Sequence, residues 1–127
     1  MIFDSEGRIL LCRRRDNGKW NLPGGHVEEN EAPWEAATRE ALEEIGVTIL
    51  IEKMTGVFFK REKNDLVFHF LAQITKGTPQ TSNEVAEVAY FLPTELPTET
   101  APYQRERIMR YIEDPHKVRA ENQKNIV

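Results

Sequence analysis

The sequence predicts one α/β domain in which a mixed sheet packs between two helices. A segment that begins at Pro33 and runs to about Ile45 has an amphipathic, helix-forming pattern. The chain around it is rich in the valine, isoleucine, threonine and phenylalanine that favour strands. A second amphipathic segment, Tyr103–Ile112, follows the last predicted strand. The resulting order, β-α-β-β-β-α, places helices against a sheet, and 127 residues suit one domain.

The first part of the chain is predicted to form two strands and the first helix. Ile2–Phe3 and Arg8–Arg14 flank a turn at Asp4–Gly7. Pro33 suits the first helical turn, where its missing N–H costs nothing, and Gly46 is a good terminator. The predicted apolar stripe of the helix has four members: Trp34, Ala37, Ala41 and Ile45.

Three further strands and a helix are predicted in the second part. The strands are Val47–Lys60, Leu66–Ile74 and Val85–Leu92. The inner face of the second helix is predicted to consist of Ile108, Met109 and Ile112. We expect the domain to span residues 1–114, and the polar segment 115–127 either to belong to it or to fray.

Composition and charge narrow the class of protein. Apolar residues make up 39% and charged residues 30% of the chain, as in soluble globular proteins. The net charge of −4 argues against nucleic acid as a partner. No apolar run approaches the roughly 18 residues of a membrane span, and the first residues lack a signal-peptide pattern. The single cysteine, Cys12, cannot form an internal disulfide, which favours a cytoplasmic location.

Three glutamates share one face of the first predicted helix. Glu40, Glu43 and Glu44 are spaced i, i+3 and i+4, and like charges at this spacing repel by a few tenths of a kcal/mol per pair. A bridging cation would turn the repulsion into binding, and Mg²⁺ commonly uses carboxylates together with substrate phosphates. The alternative is a solvated acidic face with an ion pair between Arg39 and Glu43.

The segment from Gly25 to Val47 resembles the signature of the Nudix hydrolases. Its charged and glycine positions are all present, with Val47 closing the pattern: Gly25, Glu31, Arg39, Glu40, Glu43, Glu44 and Gly46. Ala41 is smaller than the usual aliphatic residue. The preceding Trp20–Gly25 and the later Glu84–Phe91 also resemble the family, so the similarity extends to about Ile112.

The resemblance implies a Nudix α/β/α sandwich and hydrolysis of a nucleoside diphosphate linked to another group, with Mg²⁺ or alternatively Mn²⁺ as cofactor. It implies that the helix residues Glu40, Glu43 and Glu44 are both catalytic and metal-binding, and that Glu40 or a glutamate of a mobile loop is the general base. Two metal ligands are expected outside the helix: the backbone of Gly24 and the side chain of Glu84, which we favour over Glu87. Glu31 and Arg39 are expected to form a structural pair.

Several questions stay open at this level. Arg13 and Arg15 share a face of their predicted strand and are candidates to bind substrate phosphates, unless both simply face solvent. The partner is expected to be a nucleotide-type small molecule, and a homodimer is possible. Arg61–Phe68 lacks the proline of ADP-ribose hydrolases and the tyrosine of dinucleoside polyphosphate hydrolases, so the substrate is not identified.

The sequence leaves two alternative functions. A Nudix-like sensor that binds nucleotides without hydrolysis is disfavoured because binding alone does not need three glutamates. An isoprenoid diphosphate isomerase would want a reactive cysteine in a pocket, and Cys12 on an early strand is a weak candidate.

Overall fold

The computed structural model describes residues 1–124 and contains two helices and two three-stranded sheets. The strands are β1 (Ile9–Arg14), β2 (Trp20–Asn21), β3 (Thr48–Lys60), β4 (Asp65–Lys76), β5 (Val85–Phe91) and β6 (Arg119–Gln123), and the helices are α1 (Pro33–Ile45) and α2 (Pro102–Glu113). The predicted α/β class is confirmed, and β2 and β6 are the strands that the sequence did not predict. None of the helices in residues 1–124 is long and apolar enough to cross a membrane.

The strands divide into two sheets where one sheet was predicted. The first has the antiparallel order β2-β1-β5, and the second has the order β4-β3-β6, in which β3 pairs antiparallel with β4 and parallel with β6. The N-terminal residues connect the two sheets, because Ile2 bridges to Ala72 of β4 and Phe3 bridges to Ile9 of β1. The short N-terminal segment Ile2–Phe3 therefore links the two sheets.

Strand β1 lies at the centre of the core because both of its faces are covered. Leu10 and Cys12 belong to a buried cluster with Ala41 and Ile45 of α1. The alternate residues Ile9 and Leu11 belong to a second cluster with Ile108 of α2. The period-2 alternation of a strand thus places one helix on each side of β1.

Helix α1 has the predicted bounds but not the whole predicted stripe. It begins with Pro33 in the first turn and ends at Gly46, whose φ of 71° is the left-handed conformation that glycine adopts without strain. Ala36, Ala41 and Ile45 are its buried residues. Trp34 is 57% exposed, so its assignment to the stripe is wrong. It lies in the first turn, outside the part of the helix that contributes to the core cluster.

The structure differs from the prediction in the inner face of α2, and it describes most of the polar segment that follows this helix. In α2, Ile108 is fully buried but Met109 and Ile112 are 41% and 37% exposed, because the helix presents Arg107 instead to the interior. Of the two alternatives for the segment after residue 114, membership in the domain agrees with β6, which pairs with β3 along Gly56–Lys60. Residues 125–127 of the predicted tail lie outside the described residues, and the domain boundary at 114 stays a prediction.

Hydrogen bonds explain how a strand as polar as β6 is held. Gln123 is 1% exposed. Its Oε1 accepts a hydrogen bond of 2.9 Å from Arg107 Nε, and its Nε2 donates one of 3.2 Å to the Tyr103 carbonyl. The strand is therefore fixed to α2 by polar pairing, which a search for apolar periodicity does not detect.

Candidate active site

A cavity of about 560 Å³ opens between α1, the loop before it, the end of β1, the start of β4 and α2. One group of lining side chains is made of Arg14, Glu44 and Glu84. A second group, from β3, β4 and α2, includes Lys60, Asp65, Phe68, Gln104 and Arg107. The cavity is large enough for a nucleotide-sized ligand.

Glu44 is the helix glutamate that lines this cavity. Its Oε1 accepts a hydrogen bond of 2.8 Å from the backbone N–H of Gly24. Burial raises the pKa of its carboxyl to about 7, and the negative charges of Glu40 and Glu84 add to the rise. The Gly24 hydrogen bond and the charge of Arg14 act in the opposite direction. The surroundings of Glu44 therefore do not fully offset the negative charge of its carboxylate.

Glu40 lies directly against the loop that precedes the helix. A β-carbon added to Gly25 would lie 2.5 Å from Glu40 Cδ, well inside van der Waals contact. Glycine at position 25 thus leaves room for this carboxylate next to the backbone. Glu40 and Glu44 are in this way both placed beside the loop at Gly24 and Gly25.

Arg39 joins the loop to the helix face. It donates two hydrogen bonds to Glu31, of 2.7 Å from Nε and 3.0 Å from Nη2, and a third of 3.0 Å from Nη2 to the His26 carbonyl. Its Nη1 also donates to Glu40 at 2.8 Å and to Glu43 at 3.0 Å. The ion pair lowers the pKa of Glu31 and raises that of Arg39. The arrangement holds the loop against α1.

The contacts of Arg39 also decide which glutamate oxygens are available to bind a metal ion. Within residues 1–124, no three histidine, cysteine, aspartate or glutamate side chains are gathered closely enough to hold a metal ion. Glu43 is 59% exposed and is directed to Arg39. The chemistry of the donor set nevertheless fits a hard cation, because Glu40, Glu44 and Glu84 offer oxygen alone and are close enough to raise the pKa of Glu44.

The three arginines of the β1 end occupy different places. Arg13 pairs with Glu87 at 2.8 Å, and Arg15 Nε donates to the Ser82 carbonyl at 2.9 Å. Neither lines the cavity, whereas Arg14 does. The register shift between Arg13 and Arg14 falls at this point of the pairing with β5. The alternation of Leu10 and Cys12 toward α1 could have indicated Arg14 from the sequence.

The two later glutamates also separate. Glu84 lines the cavity beside Arg14, and its charge contributes to the raised pKa of Glu44. The side chain of Glu87 is 56% exposed and forms an ion pair with Arg13. Only Glu84 is therefore placed near the helix glutamates.

Sequence reasoning missed the α2 wall of the cavity. Gln104 and Arg107 line it although neither belongs to a recognised motif. Cys12 lines it as well, but burial raises the pKa of its thiol to about 12, which makes it a poor nucleophile.

Comparison with known proteins identifies the family. The NUDIX domain model matches residues 1–112. A MutT-like protein of Streptomyces ambofaciens is 30% identical over 129 residues, which span 100% of this chain and 83% of the relative. A Bacillus subtilis protein named as a candidate 8-oxo-dGTP diphosphatase is 32% identical over 109 residues, spanning 85% of this chain and 73% of the relative.

A solved structure agrees in fold over nearly the whole chain. A NUDIX hydrolase from Nitrosomonas europaea superposes with a TM-score of 0.86 at 26% identity, over 98% of this chain and 76% of that one. The matched residues include α1 and the loop before it. They also include Glu44 and Glu84, the two glutamates that line the cavity. The chain belongs to the Nudix hydrolase family.

Proposed function

We propose that this protein hydrolyses a nucleoside diphosphate linked to another group, with Mg²⁺ as cofactor and Mn²⁺ as the alternative ion. As a Nudix hydrolase it is an enzyme that acts on phosphoanhydride bonds. Its relatives carry names as different as ADP-ribose pyrophosphatase and RNA pyrophosphohydrolase, so the proposal is limited to the class of substrate. The buried, unpaired Cys12 is consistent with the cytoplasm as the place of action.

The observation that carries the proposal is the environment of Glu44. A buried carboxylate is normally paired with a cation, because isolated burial of charge is costly. Glu44 instead lies near two other carboxylates, Glu40 and Glu84, and its pKa is raised to about 7. This excess of negative charge beside an open cavity supports a role in binding a cation together with an anionic substrate.

The proposed roles follow from position. Glu40, Glu43, Glu44 and Glu84, with the backbone of Gly24, would hold the ion; Glu40 and Glu43 would have to turn from Arg39 to do so. A divalent ion held there would offset the charge of the diphosphate and lower the pKa of a bound water.

Other residues would position the substrate and the loop. Arg14 lines the cavity and its charge acts on Glu44. It would have to turn from its ion pair with Asp16 to bind a phosphate oxygen. Arg39 and Glu31 would keep the loop fixed while Glu40, as general base, accepts a proton from the attacking water. Arg13 and Arg15, the sequence candidates for substrate binding, have other partners in the structure.

A substrate panel tests the proposal. Nucleoside triphosphates, ADP-ribose and diadenosine tetraphosphate would be incubated with Mg²⁺, with Mn²⁺ and with EDTA, and the products separated from the substrate and measured by ion-exchange chromatography. We expect products from at least one compound with either metal and none in EDTA. Binding of nucleotides without hydrolysis in every metal condition would instead favour the sensor hypothesis.

A further inference from the structure

Two polar atoms in the α2 wall of the cavity have no hydrogen-bond partner among the described residues. They are Nη2 of Arg107, a donor, and Oε1 of Gln104, an acceptor, and both are buried. Both residues line the cavity. Buried polar groups are normally paired, so an unpaired donor and acceptor in a cavity wall are available to pair with a ligand.

The Arg107 guanidinium is held in a fixed place. The side chain is 3% exposed, and its Nε donates a hydrogen bond of 2.9 Å to Gln123 Oε1. Its central carbon lies 5.8 Å from the centre of the Phe58 ring. Burial lowers its pKa to about 10, which leaves it protonated at neutral pH. The buried strand residue Gln123 thus orients a charge that no carboxylate of residues 1–124 contacts within hydrogen-bond distance.

The spacing of the two residues defines the edge they could recognise. Gln104 and Arg107 are i and i+3 on α2, so their side chains are neighbours on one face of the helix. A charged donor beside an amide acceptor complements a ligand edge that carries a carbonyl oxygen beside an N–H. The negative charge of Asp65 already acts on Arg107. Because Asp65 would repel a second anion at this place, a neutral carbonyl is the better match for Arg107.

The rest of the wall suits a flat ring. Phe68, Leu66 and Val67 line the same part of the cavity and offer apolar surface. Arginine commonly donates to the O6 carbonyl of guanine in DNA, where its second partner is N7. At a lactam edge the N–H beside the carbonyl needs an acceptor instead, which Gln104 Oε1 can supply.

We infer that Arg107 and Gln104 select a substrate whose nucleobase carries a lactam edge, such as hypoxanthine, guanine or uracil, over one with an amino group at that edge. The inference rests on the proposed function only in taking the ligand to be a nucleotide. Its phosphates would extend toward Glu44 and Glu84 while the base lies against α2.

The test measures binding without catalysis. Inosine and adenosine monophosphates differ at the edge in question, and titration calorimetry in EDTA would compare their affinities for the wild type. We expect inosine monophosphate to bind at least about tenfold more tightly, the usual effect of one charged hydrogen bond. Arg107→Met and Gln104→Leu should each reduce this ratio toward one.

Controls separate recognition from folding. Arg105→Met removes a cation from the same helix, but Arg105 bonds to the Pro97 carbonyl and does not line the cavity, so the ratio should be unchanged. If Arg107→Met fails to fold, Gln104→Leu and Arg107→Lys decide, since Gln104 is not bonded to Gln123. Equal affinities in the wild type, an adenosine preference, no binding of either nucleotide, or a ratio unaffected by Gln104→Leu would each overturn the inference.

Hydrolysis is measured in parallel with inosine and adenosine triphosphates and Mg²⁺. Selective binding with no hydrolysis of any panel compound would refute the proposed function and leave the recognition site intact. Hydrolysis with equal kcat/KM for both triphosphates, together with equal binding, would refute the recognition site and leave the proposed function intact.

Discussion

Replacing Glu44 by glutamine tests whether this carboxylate is destabilising in the metal-free fold. Glutamine keeps the shape of the side chain and an Oε1 that can accept the 2.8 Å hydrogen bond from Gly24. It removes the charge, and with it the repulsion from Glu40 and Glu84 that contributes to the raised pKa. The substitution therefore isolates the electrostatic contribution of one metal-ligand candidate.

The direction and size of the effect follow from the pKa. The folded-state pKa of Glu44 is raised from 4.5 to about 7, so the native state prefers the protonated form. The stability that this gives is present in full below pH 4.5 and is lost as the pH rises through about 7. The shift corresponds to at most about 3 kcal/mol, and solvent at the open side of the cavity reduces it, so we expect about 1–3 kcal/mol above pH 8.

The assay is thermal unfolding in EDTA between pH 5 and pH 8.5. We expect Glu44→Gln and the wild type to be nearly equal at the acidic end and the variant to melt roughly 3–10 °C higher at the alkaline end. Glu43→Gln is the matched control, because Glu43 is 59% exposed and paired with Arg39. If the difference between Glu44→Gln and wild type were the same at every pH, the raised pKa would be refuted.

The same variant has a second expected property. With Mg²⁺ and substrate, Glu44→Gln should lose several orders of magnitude in turnover, because a metal ligand is removed while the fold is kept. Turnover within about threefold of wild type would refute the assignment of the helix face to metal binding.

Three further outcomes are expected. Glu84→Ala should raise the Mg²⁺ concentration for half-maximal rate, whereas Glu87→Ala should not, because Glu87 is paired with Arg13; the reverse result would move the ligand to Glu87. Wild-type melts in EDTA and in millimolar Mg²⁺ should differ by several degrees, since a hundredfold excess over Kd adds about 2.7 kcal/mol; identical melts would argue against metal binding. Gly25→Ala should lower kcat by up to about a hundredfold with little change in Tm, because its β-carbon displaces the Glu40 carboxylate; unchanged kcat would show that Glu40 need not lie there.

The sequence predicted best where a single local rule determines the structure. Proline in the first turn and glycine after the last residue set both ends of α1, and the structure has the helix at Pro33–Ile45. Strand β3 was found because it is rich in β-branched and aromatic residues, and β4 because its residues alternate between two faces. The division into two sheets was missed because it depends on which strands pair, and no local pattern encodes pairing.

Local rules failed where polar residues carry the packing. Strand β6 has the sequence Arg-Ala-Glu-Asn-Gln, which no hydrophobic period identifies as a strand. It is ordered by its pairing with β3 and by Gln123, which bonds to Arg107 Nε and to the Tyr103 carbonyl. The same side chain explains why Arg107 faces inward on α2, where the pattern predicted Met109 and Ile112. One long-range polar contact thus accounts for both errors.

The candidate site shows the same distinction. The spacing of the three glutamates placed them on one helix face, since i, i+3 and i+4 positions share a face in any context. Their metal-binding role was inferred from the resemblance to the Nudix signature and stays a prediction. Arg13 and Arg15 were chosen because they share a strand face, but Arg14 lies on the face of β1 toward α1, where residues distant in sequence form the cavity. Cys12 and Leu10, buried beside α1, fix that face.

Arg39 explains how three glutamates can share a helix face in the metal-free fold. The repulsion among them would cost a few tenths of a kcal/mol per pair. Arg39 bonds Glu40 and Glu43 through one nitrogen while its other two nitrogens hold Glu31 and the loop. A cation that took Glu40 and Glu43 would therefore leave the loop contacts of Arg39 in place, whereas Glu44, which Arg39 does not reach, depends on the cation most.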